Sequence, residues 1–207
     1  MKVSSWIAGG IAGLLLSASA FAAASEFSFK DNKGVNSVYF LLDSELEPIM
    51  GLASGISGTL SFDAENPKAT TGKIVVDAES LHTENKGMKD TLHNAEWMDV
   101  KKNPEISYTF KTIKDAKKVG DNQWELSVVG DFACKGKTKE IAATVRASYL
   151  PDKLQSRERG KKGDLLVLRS EFKISRKDFE IKPDVPVAVV ADEIQIKVQI
   201  VGWTEKK

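Results

Sequence analysis

The sequence predicts an all-β domain that follows a secretory signal peptide. Apolar residues alternate with polar ones along most of the chain, which is the pattern of strands with one buried face. Short clusters of Gly, Asn, Asp and Pro separate the alternating segments, as turns between antiparallel strands do. The first residues differ, because they form one apolar run that ends in small residues. Together these patterns predict a leader and then a β-rich domain.

Residues 1–24 have the composition of a signal peptide. Lys2 supplies a positive start, residues 6–16 are mainly apolar, and the residues that follow are mostly Ala and Ser. We predict cleavage near residues 22–24, which leaves residues 25–207 as one domain in the periplasm without a transmembrane segment. Lys2 is the only charged residue of the leader, so the mature chain carries no net charge with neutral histidines. Such a chain has no basic field to attract nucleic acid.

About nine segments are predicted to be strands. The clearest alternation places Ile194, Ile196 and Val198 on one face, with polar residues between them. In chain order the predicted strands are residues 26–29, 36–42, 55–62, 72–77, 106–110, 124–132, 141–149, 165–174 and 193–201. Turn signals stand at residues 31–34, 65–67, 120–122 and 135–137, and the charged residues 155–164 are predicted to form a long exposed hairpin loop.

One short helix is predicted at residues 85–94, where Met88, Thr91 and Leu92 fall close together on one or two turns. Residues 177–190 contain prolines and are predicted to form an irregular loop. Strands with one apolar face must pack as a sandwich or close into a barrel, and alternation alone allows either. An eight-stranded barrel is wide enough to be packed solid or to hold one small ligand.

The residues that could carry chemistry predict no catalytic site, metal site or cofactor. His82 and His93 are eleven positions apart, which matches no compact zinc signature. Cys134 is the only cysteine and cannot form an internal disulfide. Alternation places its side chain on the same apolar face as Phe132, so we expect a buried thiol. The sequence also lacks a Gly-x-Ser-x-Gly elbow and a phosphate-binding glycine loop.

Several segments resemble the YceI-like, polyisoprenoid-binding family, and they occur in the family's order. They are residues 80–85 (SLHTEN), 97–110 (WMDVKKNPEISYTF), 130–139 (GDFACKGKTK), 172–179 (FKISRKDF) and the closing strand at 190–200. The third resembles the family's GDLTIxGxTK hairpin and the fourth its INRxDFG segment. The resemblance extends over essentially the whole predicted mature chain.

The resemblance implies an extended lipocalin-like antiparallel β-barrel of about eight strands with one short helix. It also implies an apolar tunnel for the tail of an isoprenoid quinone or polyprenyl lipid, a periplasmic location and a homodimer. The chain departs from the family at residues 88–92 (MKDTL), where the family usually has Arg-Asp-x-His-Leu, and at residues 41–51. The altered positions either shape the tunnel mouth or reflect ordinary divergence.

The resulting hypothesis is a lipid-binding protein that acts as a carrier or in envelope stress protection. The residues predicted to line its tunnel are Trp97, Met98, Ile106, Tyr108, Phe110, Leu126, Val128, Phe132, Ile194, Ile196 and Val198. Two alternatives stay open at this point. One is a solid barrel that acts through a protein partner, and the other is an enzyme on a barrel scaffold that uses His82 or His93.

Overall fold

The computed structural model describes residues 24–206, and most of them lie in ten β-strands. The predicted signal peptide therefore lies almost entirely outside the described residues. The strands are β1 (Ser25–Ser28), β2 (Ser37–Leu42), β3 (Ile49–Ala53), β4 (Ile56–Phe62), β5 (Thr71–Asp77), β6 (Glu105–Gly120), β7 (Gln123–Cys134), β8 (Lys137–Leu150), β9 (Gly163–Ser175) and β10 (Glu193–Glu205). Two α-helices accompany them in residues 24–206, α1 (Lys86–His93) and the single turn α2 (Leu154–Arg157), together with 3-10 helices at Pro67–Ala69, Ala78–Ser80 and Lys177–Phe179.

The strands close into an antiparallel barrel. The hydrogen-bonded order is β1-β4-β5-β6-β7-β8-β9-β10-β2-β3, and β1 also pairs with β10. Along β10, residues 195–199 pair with β2 while Trp203 pairs with Ser28 of β1. The strands β1 and β2 are thus two pieces of one barrel strand, and β3 and β4 are two pieces of the next. Counted in this way the barrel has eight strands, which confirms the predicted barrel class and rules out the sandwich.

The break between β1 and β2 is stabilised by two polar side chains. Asn36 is almost fully buried, and its amide donates to the backbone oxygens of Phe29 (3.3 Å) and Val201 (3.1 Å). Its side-chain oxygen accepts from the Val201 N–H at 2.9 Å. Asp31 accepts from several backbone N–H groups of the loop, including that of Val35 at 2.6 Å. These contacts replace the ladder bonds that the interrupted strand lacks.

The predicted strands are all present, with two differences. The first is β3, which the alternation missed because Gly51 interrupts a short segment. The second is the length of β6, which continues through the lysine-rich residues 111–120 well beyond the predicted end at Phe110. The helix prediction is confirmed, since α1 begins after Asn85, whose side chain accepts from the Met88 N–H at 3.0 Å.

The loop between β8 and β9 is less exposed than its charge predicted. Leu154 at the start of α2 is fully buried, and Asp164 at the start of β9 is 2% exposed. Arg157 also reaches Asp31 at 3.0 Å and ties this loop to the β1–β2 break. The middle of the loop remains at the surface.

One half of the barrel interior is packed solid. Four rings meet there edge to face or tilted, with centroids 5.6–6.4 Å apart. They belong to Phe27, Phe62, Trp124 and Tyr149, and we call this group the aromatic floor. Phe29 packs beside it over Gly202, where a Cβ would approach the Phe29 ring to 2.7 Å.

Below the aromatic floor, the Asp164 side chain links three other residues at this end of the barrel. Its carboxylate accepts from the Tyr149 hydroxyl (2.7 Å) and the Asp152 N–H (2.8 Å), and it pairs with Lys206 at 2.8 Å. Burial alone would raise the pKa of Asp164. The backbone N–H of Asp152 and the side chains of Lys206 and Tyr149 lower it by more, so the pKa lies below its ordinary value.

Asp164 should therefore contribute to acid sensitivity. Because its folded-state pKa is lowered, its stabilisation is complete above the ordinary pKa of about 4 and is lost as pH falls through the folded value. We expect Asp164→Asn to unfold more easily than the native protein at neutral pH, with the difference shrinking below about pH 4. Urea unfolding across pH measures this. The exposed turn variant Asp121→Asn serves as control, and an Asp164 difference that is constant with pH would contradict the assignment.

Candidate functional site

The other half of the barrel encloses an apolar cavity of about 510 Å³. It extends from the middle of the barrel to the end covered by α1 and by the loops at 43–48 and 177–190. Its lining is almost entirely aliphatic and aromatic. The apolar side chains of the lining are Val38, Phe40, Leu42, Ile49, Ala53, Ile74, Val76, Leu81, Met88, Leu92, Trp97, Met98, Ile106, Tyr108, Phe110, Phe132, Cys134, Ala143, Val145, Leu168, Phe172, Ile174, Ile181, Val190, Ile194, Ile196, Val198 and Ile200.

Most of the residues predicted to line a tunnel lie in this wall. They are Trp97, Met98, Ile106, Tyr108, Phe110, Phe132, Ile194, Ile196 and Val198. Leu126 and Val128 also point inward and are 1% exposed, but the structure places them in the packed core beside the cavity rather than in its wall. Their ladder partners on β8, Ala143 and Val145, do line the cavity, so inward alternation identifies the inner face but not which of its residues meet the cavity.

The prediction missed a large part of the wall. The inward residues of β2, β8 and β9 carry the same alternation as those of β6 and β10, so Phe40, Val145 and Phe172 could have been included. Arg176 was also missed, although it stands in the segment that resembles the family's INRxDFG pattern.

Glycines make room for large rings inside the barrel. Gly130 of β7 faces Phe110 of β6, and a Cβ on it would come within 2.6 Å of the Tyr108 ring. Gly51 of β3 faces Phe40 of β2, whose ring occupies the space where a Cβ would lie. In both cases a ring from the neighbouring strand, that of Tyr108 or that of Phe40, lies over the glycine and shapes the cavity wall.

An aromatic cluster supports the wall where β8 and β9 separate. The ladder between these strands ends at Thr144 and Glu171, although both strands continue toward the cavity mouth. At that level Phe172 packs between Tyr108 and Phe132, with ring centroids 6.0 and 5.9 Å away. The cluster thus fills the inner side of the gap that the two strands leave.

The Tyr108 hydroxyl has a protein partner, since it donates to the backbone oxygen of Ile141 at 2.9 Å. Burial raises the pKa of Tyr108 to about 12, with a further contribution from the negative charges of Asp131 and Glu140. The group is therefore a neutral donor at every physiological pH.

Replacing Tyr108 with Phe tests this assignment. Loss of one hydrogen bond should lower the free energy of unfolding by about 0.5–1.5 kcal/mol. Lipid uptake should be unchanged, because the hydroxyl proton already bonds Ile141. Urea unfolding and a lipid-binding titration measure the two effects. A folded Tyr108→Phe variant that no longer binds lipid would show that the hydroxyl contacts the ligand instead.

Arg176 is a buried charge at the cavity edge. It is fully buried, and its guanidinium donates to backbone oxygens of the 177–191 segment. The acceptors are Ile181 (2.7 Å), Lys182, Val185 (3.4 Å), Val190 (3.1 Å) and Ala191 (3.2 Å). Burial lowers the pKa of Arg176, and the carboxylates of Asp192 and Asp184 oppose that effect. The arginine organises the irregular loop, which brings Ile181 and Val190 into the cavity wall.

The helix α1 covers the cavity mouth, and the segment that departs from the family lies on it. Met88 and Thr91, which stand where the family usually has Arg and His, line the cavity together with the retained Leu92, so these two altered positions face the interior of the site. The end of the helix is held by His93, whose Nε2 lies 2.6 Å from the Leu81 backbone oxygen. His82 likewise places its Nδ1 3.0 Å from the Ser80 oxygen.

The polar residues weighed for chemistry occupy structural positions. Burial raises the pKa of the Cys134 thiol to about 12, and the charge of Lys135 offsets only part of this effect. A protonated, buried thiol is a poor nucleophile. Among residues 24–206, no three His, Cys, Asp or Glu side chains are grouped so that they could hold a metal ion. Within the same part of the chain, no helix is long and apolar enough to cross a bilayer.

A closed eight-stranded barrel with an apolar interior cavity defines a protein of the lipocalin-like class. The family model of the YceI-like domain matches residues 23–202, and the chain belongs to that family. Among its relatives is Protein YceI of Salmonella arizonae, which is 27% identical over 158 residues, or 76% of this chain and 75% of that protein.

Solved structures share the fold at low sequence identity. Burkholderia cenocepacia BcnA is similar with a TM-score of 0.61 and 21% identity, over 80% of this chain and 95% of that one. The Campylobacter jejuni YceI protein gives a TM-score of 0.58 and 19% identity, over 78% and 87% of the two chains. A polyisoprenoid binding domain from Saccharophagus degradans, implicated in plant cell wall breakdown, gives 0.60 and 8% identity, over 88% and 99%.

Proposed function

We propose that this protein holds an isoprenoid-type lipid, a quinone or a polyprenyl lipid, with the tail inside the barrel cavity, and carries it through the periplasm. The observation that carries the proposal is the apolar cavity of about 510 Å³. Protein interiors are otherwise close-packed. A concave apolar space of this size lies in the range of pockets that hold small molecules.

The chemistry of the wall favours a hydrocarbon tail. The buried charge at the cavity edge, Arg176, already donates to backbone oxygens, and the other charged residue of the lining, Glu47, is exposed to solvent. Burial of each CH₂ group contributes about 0.8 kcal/mol. The burial of several isoprene units therefore exceeds the ~4–15 kcal/mol cost of association. Membership of the YceI-like family and the polyisoprenoid-binding description of the Saccharophagus degradans domain support the same ligand class.

The location and the assembly state are part of the proposal. Residues 1–24 have the composition of a secretory leader, which supports a periplasmic carrier. A role in envelope stress protection and a homodimer, both implied by the family resemblance, stay predictions. Of the two alternatives, the solid barrel predicts no lipid-sized cavity. The two histidines that the enzyme would use each place one ring nitrogen against a backbone oxygen, His82 Nδ1 and His93 Nε2.

The experiment is native mass spectrometry of the mature protein purified from the periplasm, followed by organic extraction of the bound lipid. We expect one isoprenoid lipid per barrel. Delipidated protein should then take up an added quinone or polyprenyl alcohol in the same ratio. A ligand-free mass together with failure to take up either compound would overturn the proposal and favour a barrel that acts through a protein partner.

A further inference from the structure

The wall of the barrel is interrupted between β8 and β9. Their ladder extends from the packed half of the barrel to the pair Thr144 and Glu171, where it ends. Toward the cavity mouth, residues 137–143 of β8 remain paired with β7 alone, and residues 172–175 of β9 remain paired with β10 alone. The two strands therefore leave a gap between them while each stays attached to its other neighbour.

An open groove of about 590 Å³ lies at this gap, on the outer surface of the barrel. Its floor includes small and apolar residues of β7, β8 and β9, which are Val129, Ala142, Ala143, Thr144 and Phe172. The charged residues that line it, Lys114, Glu171 and Lys173, are exposed to solvent. An apolar floor beside hydrated charges suits an amphiphile, whose tail gains by leaving water while its head group does not.

Two residues belong both to this outer groove and to the interior cavity. Ala143 and Phe172 line each of them. Since Ala143 offers only a methyl group, the ring of Phe172 provides most of the separation at this level. Phe172 is half-buried, and on the inner side its ring packs against Tyr108 and Phe132. The barrel wall is therefore one side chain thick at the gap.

Side chains hold the wall together at this level. The Tyr108 hydroxyl donates to the Ile141 backbone oxygen at 2.9 Å, and the Ser170 hydroxyl donates to the Thr144 backbone oxygen at 2.8 Å. The backbone of Phe172 is paired with β10, and this pairing does not depend on the direction of its ring. Rotation of the Phe172 side chain would therefore open the wall without breaking a strand ladder. Side-chain rotation is also much faster than the collective motions that separate strands.

We propose that the groove between β8 and β9 is a lateral entry site for the hydrocarbon tail of the ligand, which passes into the cavity when the Phe172 ring rotates aside. The proposal rests on the proposed function and adds an entry route to it. A tail that enters here does not displace α1, whose Met88 and Leu92 line the mouth. The exposed charges of the groove keep the head group in water while the tail passes.

Filling the groove tests the route. Ala142 is exposed and lines the groove but not the cavity, so Ala142→Phe obstructs the passage without changing the walls that hold the bound tail. The association and dissociation rates of a ubiquinone with a two-unit isoprenoid tail should both fall by about tenfold or more. The dissociation constant should stay within about twofold of the native value, because a blocked route slows both directions equally.

The rates are measured on the delipidated mature protein by stopped-flow quenching of tryptophan fluorescence, since Trp97 stands in the cavity wall. Ser148→Phe is the matched control. Ser148 lies on the same outer face of β8 but outside the groove, so its replacement should leave both rates unchanged.

Removing the ring should have the opposite effect on entry. Phe172→Ala takes away the side chain that separates the groove from the cavity, so the association rate should rise by about fivefold or more. Phe172→Leu retains apolar packing and should give an intermediate rate. Phe40→Ala is the control, because Phe40 is also an aromatic residue of the cavity wall but lies on β2, away from the groove. Its association rate should remain native-like.

Native-like rates for Ala142→Phe, or equal slowing by Ala142→Phe and Ser148→Phe, would overturn the lateral route and assign entry to the mouth beside α1. The proposed function would remain intact in that case. Failure of the native protein to bind both the ubiquinone and farnesol would overturn the proposed function, and the entry site with it.

Discussion

Replacing Ala143 with Phe should abolish lipid loading and leave the barrel folded. Ala143 lies on the inner face of β8 and lines the cavity, so a ring at this position fills open space instead of displacing atoms. The free energy of unfolding should change by less than about 1 kcal/mol, because the added surface is apolar and buried. Occupancy measured by native mass spectrometry should fall at least tenfold.

The matched variant is Ala147→Phe, four residues further along the same strand and on the same face. Ala147 is 1% exposed and lies between Trp124 and Leu168 on the neighbouring strands, so there is no space for a ring. Overpacking should cost about 1–3 kcal/mol in urea unfolding. If both variants unfold alike, or if Ala143→Phe keeps its lipid, the interior is not divided as described and the cavity is not the lipid site.

Replacing Arg176 with Met should produce the largest loss of stability. The guanidinium satisfies backbone oxygens of the 177–191 segment, and each one left buried without a donor costs about 1–3 kcal/mol. Part of this cost is recovered where the loop rehydrates, so we expect a loss of roughly 3 kcal/mol or more in urea unfolding.

The same variant should release the loop before the barrel unfolds. Limited proteolysis should cut Arg176→Met within residues 177–190 under conditions in which the native protein is intact. Arg176→Lys keeps the charge but offers fewer donors in another geometry, so its loss should be intermediate. Native-like stability in Arg176→Lys would show that charge, and not the array of hydrogen bonds, holds the loop.

The sequence predicts the barrel strands well because burial of one face imposes a period of two. It fails at β3, where Gly51 stands at a position at which alternation requires an apolar side chain. The structure explains this exception, since the Phe40 ring of the neighbouring strand occupies that space. An intrastrand pattern cannot contain this information, because the residue that fills the gap belongs to another strand.

The cavity is harder to predict than the fold, for a related reason. Val128 and Val145 are both valines on inward positions of adjacent strands, yet only Val145 meets the cavity. Val128 even pairs with Ala143, which lines the cavity, so strand register does not reveal the difference either. A packed core and a lipid site use the same side chains, so the sequence indicates which residues face inward but not where the filling stops.

The early end of the β8–β9 ladder leaves two strand edges without ladder partners in the wall of the barrel. Open edges invite pairing with another chain, and exposed charges discourage it. Such charges flank both edges here, Lys139 and Glu140 on β8 and Glu171 and Lys173 on β9. The barrel thus has a seam in its wall, and the exposed, hydrated charges along both edges of that seam disfavour pairing with another chain.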